Sequence, residues 1–318
     1  MGVLTRRIFG VDPSEGSFAK RGFHGAPEVR QRLERVATTF LDGYHAALED
    51  PSPESLKVRL GAVSDEFRGW VYEGAGMGLT VLDAFTPWRP LRRFDALLAD
   101  SGDSYTYLIH VGAGWAMARL RLPTGWLLRR LDPLLGWLAL DGYGFHEGFF
   151  HHRRTVVEAR VPGRLEGYAR RAFDQGLGRS LWFSEAADVE RVIARLATFA
   201  PSRHHDLWSG VGLAATYAGG VPVEHLERLR QAAGGHRPAL AQGAAFAAKA
   251  RLRGGFADQN TARGAQVLCG LSCEDAAAAT DHALTDLPSG HGLTEERPPF
   301  EHWRTKIQHT LTSAGVAA

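Results

Sequence analysis

The segment from Leu138 to His152, LALDGYGFHEGFFHH, is the densest in groups capable of acid–base chemistry. His146 and Glu147 are adjacent, and His151 follows Glu147 by four residues, so a helix would place Glu147 and His151 on one face. Imidazole titrates near neutral pH, and a neighbouring carboxylate can hold or accept its proton. We therefore take His146 and Glu147 as candidate catalytic residues. The alternative is a polar helix end capped by a partly exposed pair of histidines.

The same segment resembles a zinc-protease box without matching it. Such a box needs two histidines four positions apart, whereas His146 and His151 are five apart, so we predict no metal. The string GVGLAA from Gly210 has the spacing of a dinucleotide fingerprint, but no strand pattern precedes it. Close packing of helices explains these glycines better. The sequence therefore specifies no cofactor.

A polar residue followed by glycine recurs along the chain. The copies are Asp42-Gly43, Glu73-Gly74, Glu147-Gly148, Gln175-Gly176, Ser209-Gly210 and Gln242-Gly243, with weaker ones at Val111-Gly112 and Cys269-Gly270. Their spacing of roughly 27–38 residues is typical of helical repeats. Glycine inside a helix costs roughly 0.5–1 kcal/mol relative to alanine, so the recurrence needs a packing or functional reason. A stripe of small residues lets helices approach closely, which predicts that the glycine-rich helices lie inside.

If these helices share one inner surface, the residues before the glycines form a polar strip in an apolar, aromatic groove. This is the usual composition of a small-molecule site. We add Asp206 as a third candidate catalytic residue. The predicted substrate-binding residues are Glu73, Trp115, Arg119, Tyr143, Gln175, Arg179, Trp208 and Gln242. Two alternatives remain: the polar groups bond neighbouring helices, or Glu73, Glu147 or Asp206 supply the paired acids of a carbohydrate-active enzyme.

The composition limits the class of protein. The formal charge of +2, from 37 basic and 35 acidic residues, is nearly balanced. We therefore expect no general binding of nucleic acid, which needs a concentrated basic face. Two cysteines imply no disulfide framework, and no signal-peptide pattern is present, so we expect a cytoplasmic protein. No uncharged apolar run reaches 18 residues, which predicts that the chain does not span a membrane.

Helical spacing of apolar residues dominates the pattern, and no long alternation of strand type occurs. We predict an all-α, α-solenoid-like array of antiparallel helix pairs with glycine-rich inner helices. Charged helices such as Val29–Phe40 and Ala187–Phe199 should form the outer layer. We expect an irregular N-terminal arm over residues 1–25 and a single helical-repeat domain over residues 26–318.

Several strings carry a resemblance to a known family: YEGAGMG (72–78), VGAGWAMARL (111–120), ALDGYGFHEGFF (139–150), FDQGLGRSLWF (173–183), DLWSGVGLAATYAGG (206–220) and AQGAAFAAKAR (241–251). They resemble the UnbL family of bacterial enediyne biosynthesis proteins over about residues 20–310. The resemblance implies an accessory role beside an iterative polyketide synthase, in converting a linear polyene into the enediyne core. It implies no catalytic residues.

Two functions follow as expectations. The first is an enzyme, or enzyme subunit, that acts on a hydrophobic polyene or polyketide-derived intermediate. The alternative is a non-catalytic helical-repeat scaffold or carrier that binds the polyene or other proteins of the pathway.

Overall fold

A computed structural model describes residues 2–86 and 88–313, and these form helices and no β-strand. The α-helices are α1 (Gly2–Phe9), α2 (Phe18–Arg21), α3 (Pro27–Glu49), α4 (Pro53–Gly61), α5 (Asp65–Ala84), α6 (Arg92–Ala99), α7 (Thr106–Leu120), α8 (Thr124–Leu128), α9 (Leu138–Phe150), α10 (Tyr168–Ser184), α11 (Val189–Ala197), α12 (Pro201–Tyr217), α13 (Val223–Ala233), α14 (Arg237–Arg253), α15 (Gln259–Gly264), α16 (Cys273–His282) and α17 (Pro299–Ser313). None of these described helices is both long and apolar enough to cross a membrane.

The helices begin and end at residues suited to those positions. Proline occupies the first turn of α3, α4, α12 and α14, where its missing N–H removes no helical hydrogen bond. Asp188 and Ser272 cap the N-termini of α11 and α16 with their side chains. After α12 the chain turns through Gly219 and Gly220, both at positive φ, where a side chain would be strained.

Seven long helices form the inner layer, and each packs against the next in chain order: α3, α5, α7, α9, α10, α12 and α14. Their middle turns are almost fully buried, whereas α11 and α13 present charged faces to solvent. The all-α array with glycine-rich inner helices is therefore confirmed.

A four-residue unit explains how these helices approach one another. In the complete unit a leading residue is followed by glycine, any residue and a second glycine. The seven copies begin at Phe40, Glu73, Val111, Asp141, Gln175, Ser209 and Gln242. A Cβ added to the first glycine would lie 1.7–2.1 Å from the carbonyl oxygen of the preceding helix's leading residue, as at Gly176 and Asp141. A Cβ on the second glycine would lie 1.8–2.6 Å from a carbonyl oxygen of the following helix, as at Gly114 and Ala139.

The incomplete copies fit the same rule. The first inner helix has no predecessor in the array, and Leu41 stands where the first glycine would be. The last inner helix has Ala245 in place of the second glycine. Glycine is therefore present where two helix backbones touch, because no side chain fits between a Cα and a carbonyl oxygen at these distances.

The sequence pattern places three copies of the repeat wrongly. Gly43 is a second glycine rather than a first, because it lies against the following helix, and Gly270 ends a helical segment at positive φ. The equivalent pair in α9 is Asp141-Gly142, not Glu147-Gly148, because Gly142 lies against the backbone of α7. Gly148 instead lies against the hydroxyl of Ser180. Consequently Asp141 points into the shared interior with the other leading residues, and Glu147 lies nearly two turns further along the helix.

Two further expectations need correction. The segment 1–25 is not irregular where it is described, since it contains α1 and α2, and Phe18 and Phe23 are buried in the common core. The predicted outer helix Val29–Phe40 belongs to inner helix α3, whose Leu33 and Phe40 are buried while its charged face remains outside. The apolar side of α3 is long enough to be buried in the core, so the charges on its other side do not place this helix in the outer layer.

The array curls until distant helices meet. Arg251 in α14 donates one hydrogen bond to the carbonyl of Glu66 at the start of α5 (2.7 Å) and one to the carbonyl of Tyr217 at the end of α12 (2.5 Å). Arg32 in α3 donates to the carbonyl of Ala218 at 2.9 Å. The inner surface is therefore an enclosed interior rather than an open groove.

Candidate functional site

A cavity of about 850 Å³ opens where the C-terminal halves of α7 and α9 meet the N-terminal segment. We call it the mouth cavity. Its polar lining includes His146, Glu147, His151 and five arginines, and its apolar lining includes Phe40, Trp115 and Phe150. Helices α7 and α9 position these groups because their glycines hold the two backbones in contact.

His146, Glu147 and His151 form one hydrogen-bonded cluster in this cavity. Nδ1 of His146 lies 3.1 Å from Oε1 of Glu147, and Nδ1 of His151 lies 3.2 Å from the same oxygen. An ionised carboxylate only accepts hydrogen bonds, so both rings donate to Glu147 from Nδ1, and the neutral form of His146 keeps Nε2 as a base. The carboxylate of Glu147 thus orients the imidazole rings, an arrangement that suits general acid–base chemistry.

The environment favours a neutral imidazole beside an ionised carboxylate. Burial lowers the pKa of His146, although the hydrogen bond and charge of Glu147 oppose it. Burial alone would raise the pKa of Glu147, but hydrogen bonds and charges from His146 and His151 outweigh it and hold that pKa below its usual value. His146 is thus available as a general base at neutral pH.

The three side chains also offer the ligands of a metal site, since their ligand atoms lie within 4.8 Å of one another. Two imidazoles and a carboxylate suit zinc or iron. However, Arg119 and Arg154 line the same cavity, and guanidinium charges oppose the binding of a divalent cation. We therefore interpret the cluster as an acid–base unit.

A smaller inner cavity of about 40 Å³ lies behind the mouth cavity and shares Phe40, Trp115 and Phe150 with it. Glu73 is buried against this inner cavity. Its Oε1 accepts a hydrogen bond from Trp115 Nε1 at 3.0 Å, and its Oε2 has no hydrogen-bond partner among the described residues. Burial raises the pKa of Glu73 to about 7, even though Arg179 lies 4.0 Å from Oε2 and opposes the shift.

From Arg179 a chain of buried polar groups crosses the interior. Arg179 forms an ion pair with Asp141, and Asp141 accepts a hydrogen bond from Gln175 Nε2 at 2.8 Å. The chain continues from the hydroxyl of Ser209 to Oε1 of Gln242 at 2.9 Å. Beyond it, Arg304 donates to Gln242 at 3.1 Å and to Asp206 at 2.8 Å, and Arg171 donates to Asp206 at 2.9 Å.

The structure separates the predicted site residues into three groups. The mouth cavity contains His146, Glu147, Trp115, Arg119 and Tyr143. The inner cavity is lined by Glu73, Trp115 and Arg179. Gln175, Trp208, Gln242 and Asp206 are buried elsewhere and line neither cavity.

Asp206 therefore does not join the cluster of His146, Glu147 and His151. It is held between Arg171 and Arg304, and Gln175 and Gln242 bond to neighbouring helices, as buried polar groups must. The predicted set of paired acids is also not assembled, because Glu73 and Asp206 are absent from the lining of the mouth cavity that contains Glu147.

Residues 1–311 match the family described as "Protein of unknown function (DUF1702)". The chain belongs to this family. No curated protein and no solved structure matches it.

The residues predicted from the sequence are only part of the lining of the mouth cavity. Helical spacing makes His151 a neighbour of Glu147, but the predicted site residues omit it, and they also omit Arg121, Arg154 and Arg164. These arginines come from separate segments of the chain, so no local pattern links them. Arg304 is also missed, although it is fully buried, because α17 has the pattern of an ordinary amphipathic helix.

Proposed function

We propose that this DUF1702 protein is an accessory enzyme of bacterial secondary metabolism that acts on a hydrophobic polyene intermediate. The resemblance to the UnbL family suggests an enediyne-type polyketide pathway, and the composition suggests a cytoplasmic location. One observation carries the proposal: the buried His146–Glu147 pair lies in a cavity of about 850 Å³ beside a cluster of aromatic side chains. That volume lies in the range of small-molecule sites, roughly 300–1,000 Å³.

The aromatic walls support an unsaturated substrate. The ring of Trp115 lies 4.3 Å from that of Phe40, 5.2 Å from Phe145 and 5.8 Å from Phe150. His146 contacts the same group, with its ring 4.9 Å from Phe150. A conjugated chain bound along these rings would bring a carbon-bound or hydroxyl proton to the imidazole. His146 would take that proton as a general base, and Glu147 would stabilise the resulting imidazolium.

The experiment starts from deletion of the gene in an organism that carries it, followed by mass spectrometry of the metabolite that accumulates. The purified wild-type protein should convert that metabolite when combined with an extract of the deletion strain. The His146→Gln and Glu147→Gln variants should slow conversion about 10²–10⁴-fold, the usual contribution of a general base. His225→Gln is the matched control, because His225 is exposed on outer helix α13.

The proposal fails if the deletion strain accumulates no hydrophobic intermediate. It also fails if folded His146→Gln and Glu147→Gln proteins convert the intermediate as fast as the His225→Gln control.

A further inference from the structure

Four arginines line the mouth cavity without a carboxylate partner in the described part of the chain: Arg119, Arg121, Arg154 and Arg164. Arg119 donates to the carbonyl oxygens of Phe9 and Gly10, at 3.1 and 3.4 Å. Arg164 donates to the hydroxyl of Tyr143 at 2.5 Å. These acceptors are neutral, so they leave the guanidinium charges uncompensated.

The cavity lining holds five arginines but only three carboxylates, those of Asp12, Glu15 and Glu147. Glu15 forms ion pairs with Arg21 and Lys20, and Oε1 of Glu147 is held by the two imidazoles. Asp12 accepts a hydrogen bond from the backbone N–H of Ser14 at 2.8 Å. The cavity therefore retains an excess of positive charge, although the whole chain is nearly balanced at +2.

We propose that the mouth cavity binds an anionic amphiphile, with a carboxylate or phosphate head at Arg119 and Arg154 and an unsaturated apolar chain against Trp115 and Phe150. Guanidinium groups bind both kinds of anion through paired N–H donors. The aromatic rings shared with the inner cavity receive the apolar chain. This inference specifies the substrate class of the proposed enzyme, but it concerns binding alone and is tested without turnover.

The probe is a fluorescent conjugated tetraenoic fatty acid, compared with its methyl ester. The two share the apolar chain and differ in head-group charge. The acid should bind at least about tenfold more tightly than the ester, equivalent to one charge-assisted hydrogen bond. Its affinity should fall as the salt concentration rises, because the arginines are exposed.

The Arg119→Gln/Arg154→Gln double variant should lose about tenfold in affinity for the acid and little for the ester. Arg153→Gln is the matched control. Arg153 is the sequence neighbour of Arg154, but it is 91% exposed, pairs with Glu158 at 3.6 Å and lies outside the cavity lining. If the double variant does not fold, Arg154→Gln alone carries the test, because the Arg154 side chain makes no described ion pair or hydrogen bond.

Competition identifies the head group. A long-chain alkyl phosphate and a saturated fatty acid of equal length are each titrated against the bound probe, and stronger displacement by either supports the proposal and selects that anion. Equal affinity for acid and ester overturns it, and so does an equal loss of affinity in Arg153→Gln and the double variant. Anion binding without turnover would refute the proposed enzyme and leave this inference standing.

Discussion

Replacing Gly243 by alanine tests whether glycine is required where inner helices touch. A Cβ at Gly243 would lie 1.9 Å from the carbonyl oxygen of Ser209 and 2.8 Å from the backbone nitrogen of Leu213. Contacts under 3.0 Å are essentially never seen for a real Cβ, so α12 and α14 must separate by at least about 1.1 Å. The obstacle is backbone, which cannot move aside by changing a rotamer.

The cost follows from that displacement. Overpacking a core typically costs about 1–3 kcal/mol, and a backbone clash belongs at the upper end. A gap of about 1 Å also removes up to half of the dispersion energy of the separated contacts. Alanine has a better helix propensity than glycine, which offsets about 1 kcal/mol of this loss of stability. We expect Gly243→Ala to lower the free energy of unfolding by about 2 kcal/mol or more.

The matched control is Gly61→Ala. Gly61 ends α4 and is exposed, and a methyl group added to its Cα would meet no atom within 4 Å. This variant should be as stable as the wild type or more stable by up to about 1 kcal/mol. Urea unfolding followed by circular dichroism at 222 nm measures both variants. A Gly243→Ala protein as stable as Gly61→Ala would refute the requirement for backbone contact.

The remaining predictions concern the buried charges. The pKa of Glu73 is about 7 in the folded protein and 4.5 in the unfolded chain, so between these pH values the folded state holds a proton that the unfolded state releases. The free energy of unfolding therefore falls as the pH rises from 4.5 to 7, by about 3 kcal/mol in all. Glu73→Gln should remove this loss, which urea unfolding at pH 5 and pH 8 would measure; an unchanged pH dependence would contradict the assignment. Asp141→Asn should lower the free energy of unfolding by about 3–5 kcal/mol, because the buried guanidinium of Arg179 loses the carboxylate with which it pairs. Asp100→Asn, at an exposed ion pair, should cost less than about 1 kcal/mol, and equal losses of thermal stability in the two variants would refute this reasoning.

Much of the fold could be predicted because helix formation and glycine spacing are local properties. Apolar residues at helical spacing identified the helices, and proline and glycine marked many of their ends. The recurring glycines predicted an inner layer of closely packed helices, since repeated glycine in helices is too costly without such a reason. The four-residue spacing of Glu147 and His151 was likewise sufficient to predict that the two side chains meet on one helix face.

Other features were decided by contacts between residues distant in the sequence. Asp141-Gly142 and Glu147-Gly148 are both polar residues followed by glycine in one helix, and only packing against α7 and α10 distinguishes them. The curling of the array brings Arg251 to Glu66 and encloses the polar strip, which a pattern of period and polarity cannot indicate. The arginines of the mouth cavity converge from separate segments for the same reason. Composition and spacing identified the glycine-rich inner helices other than α3, whereas the tertiary structure placed α3 among them and determined which of their polar residues face a cavity and which face one another.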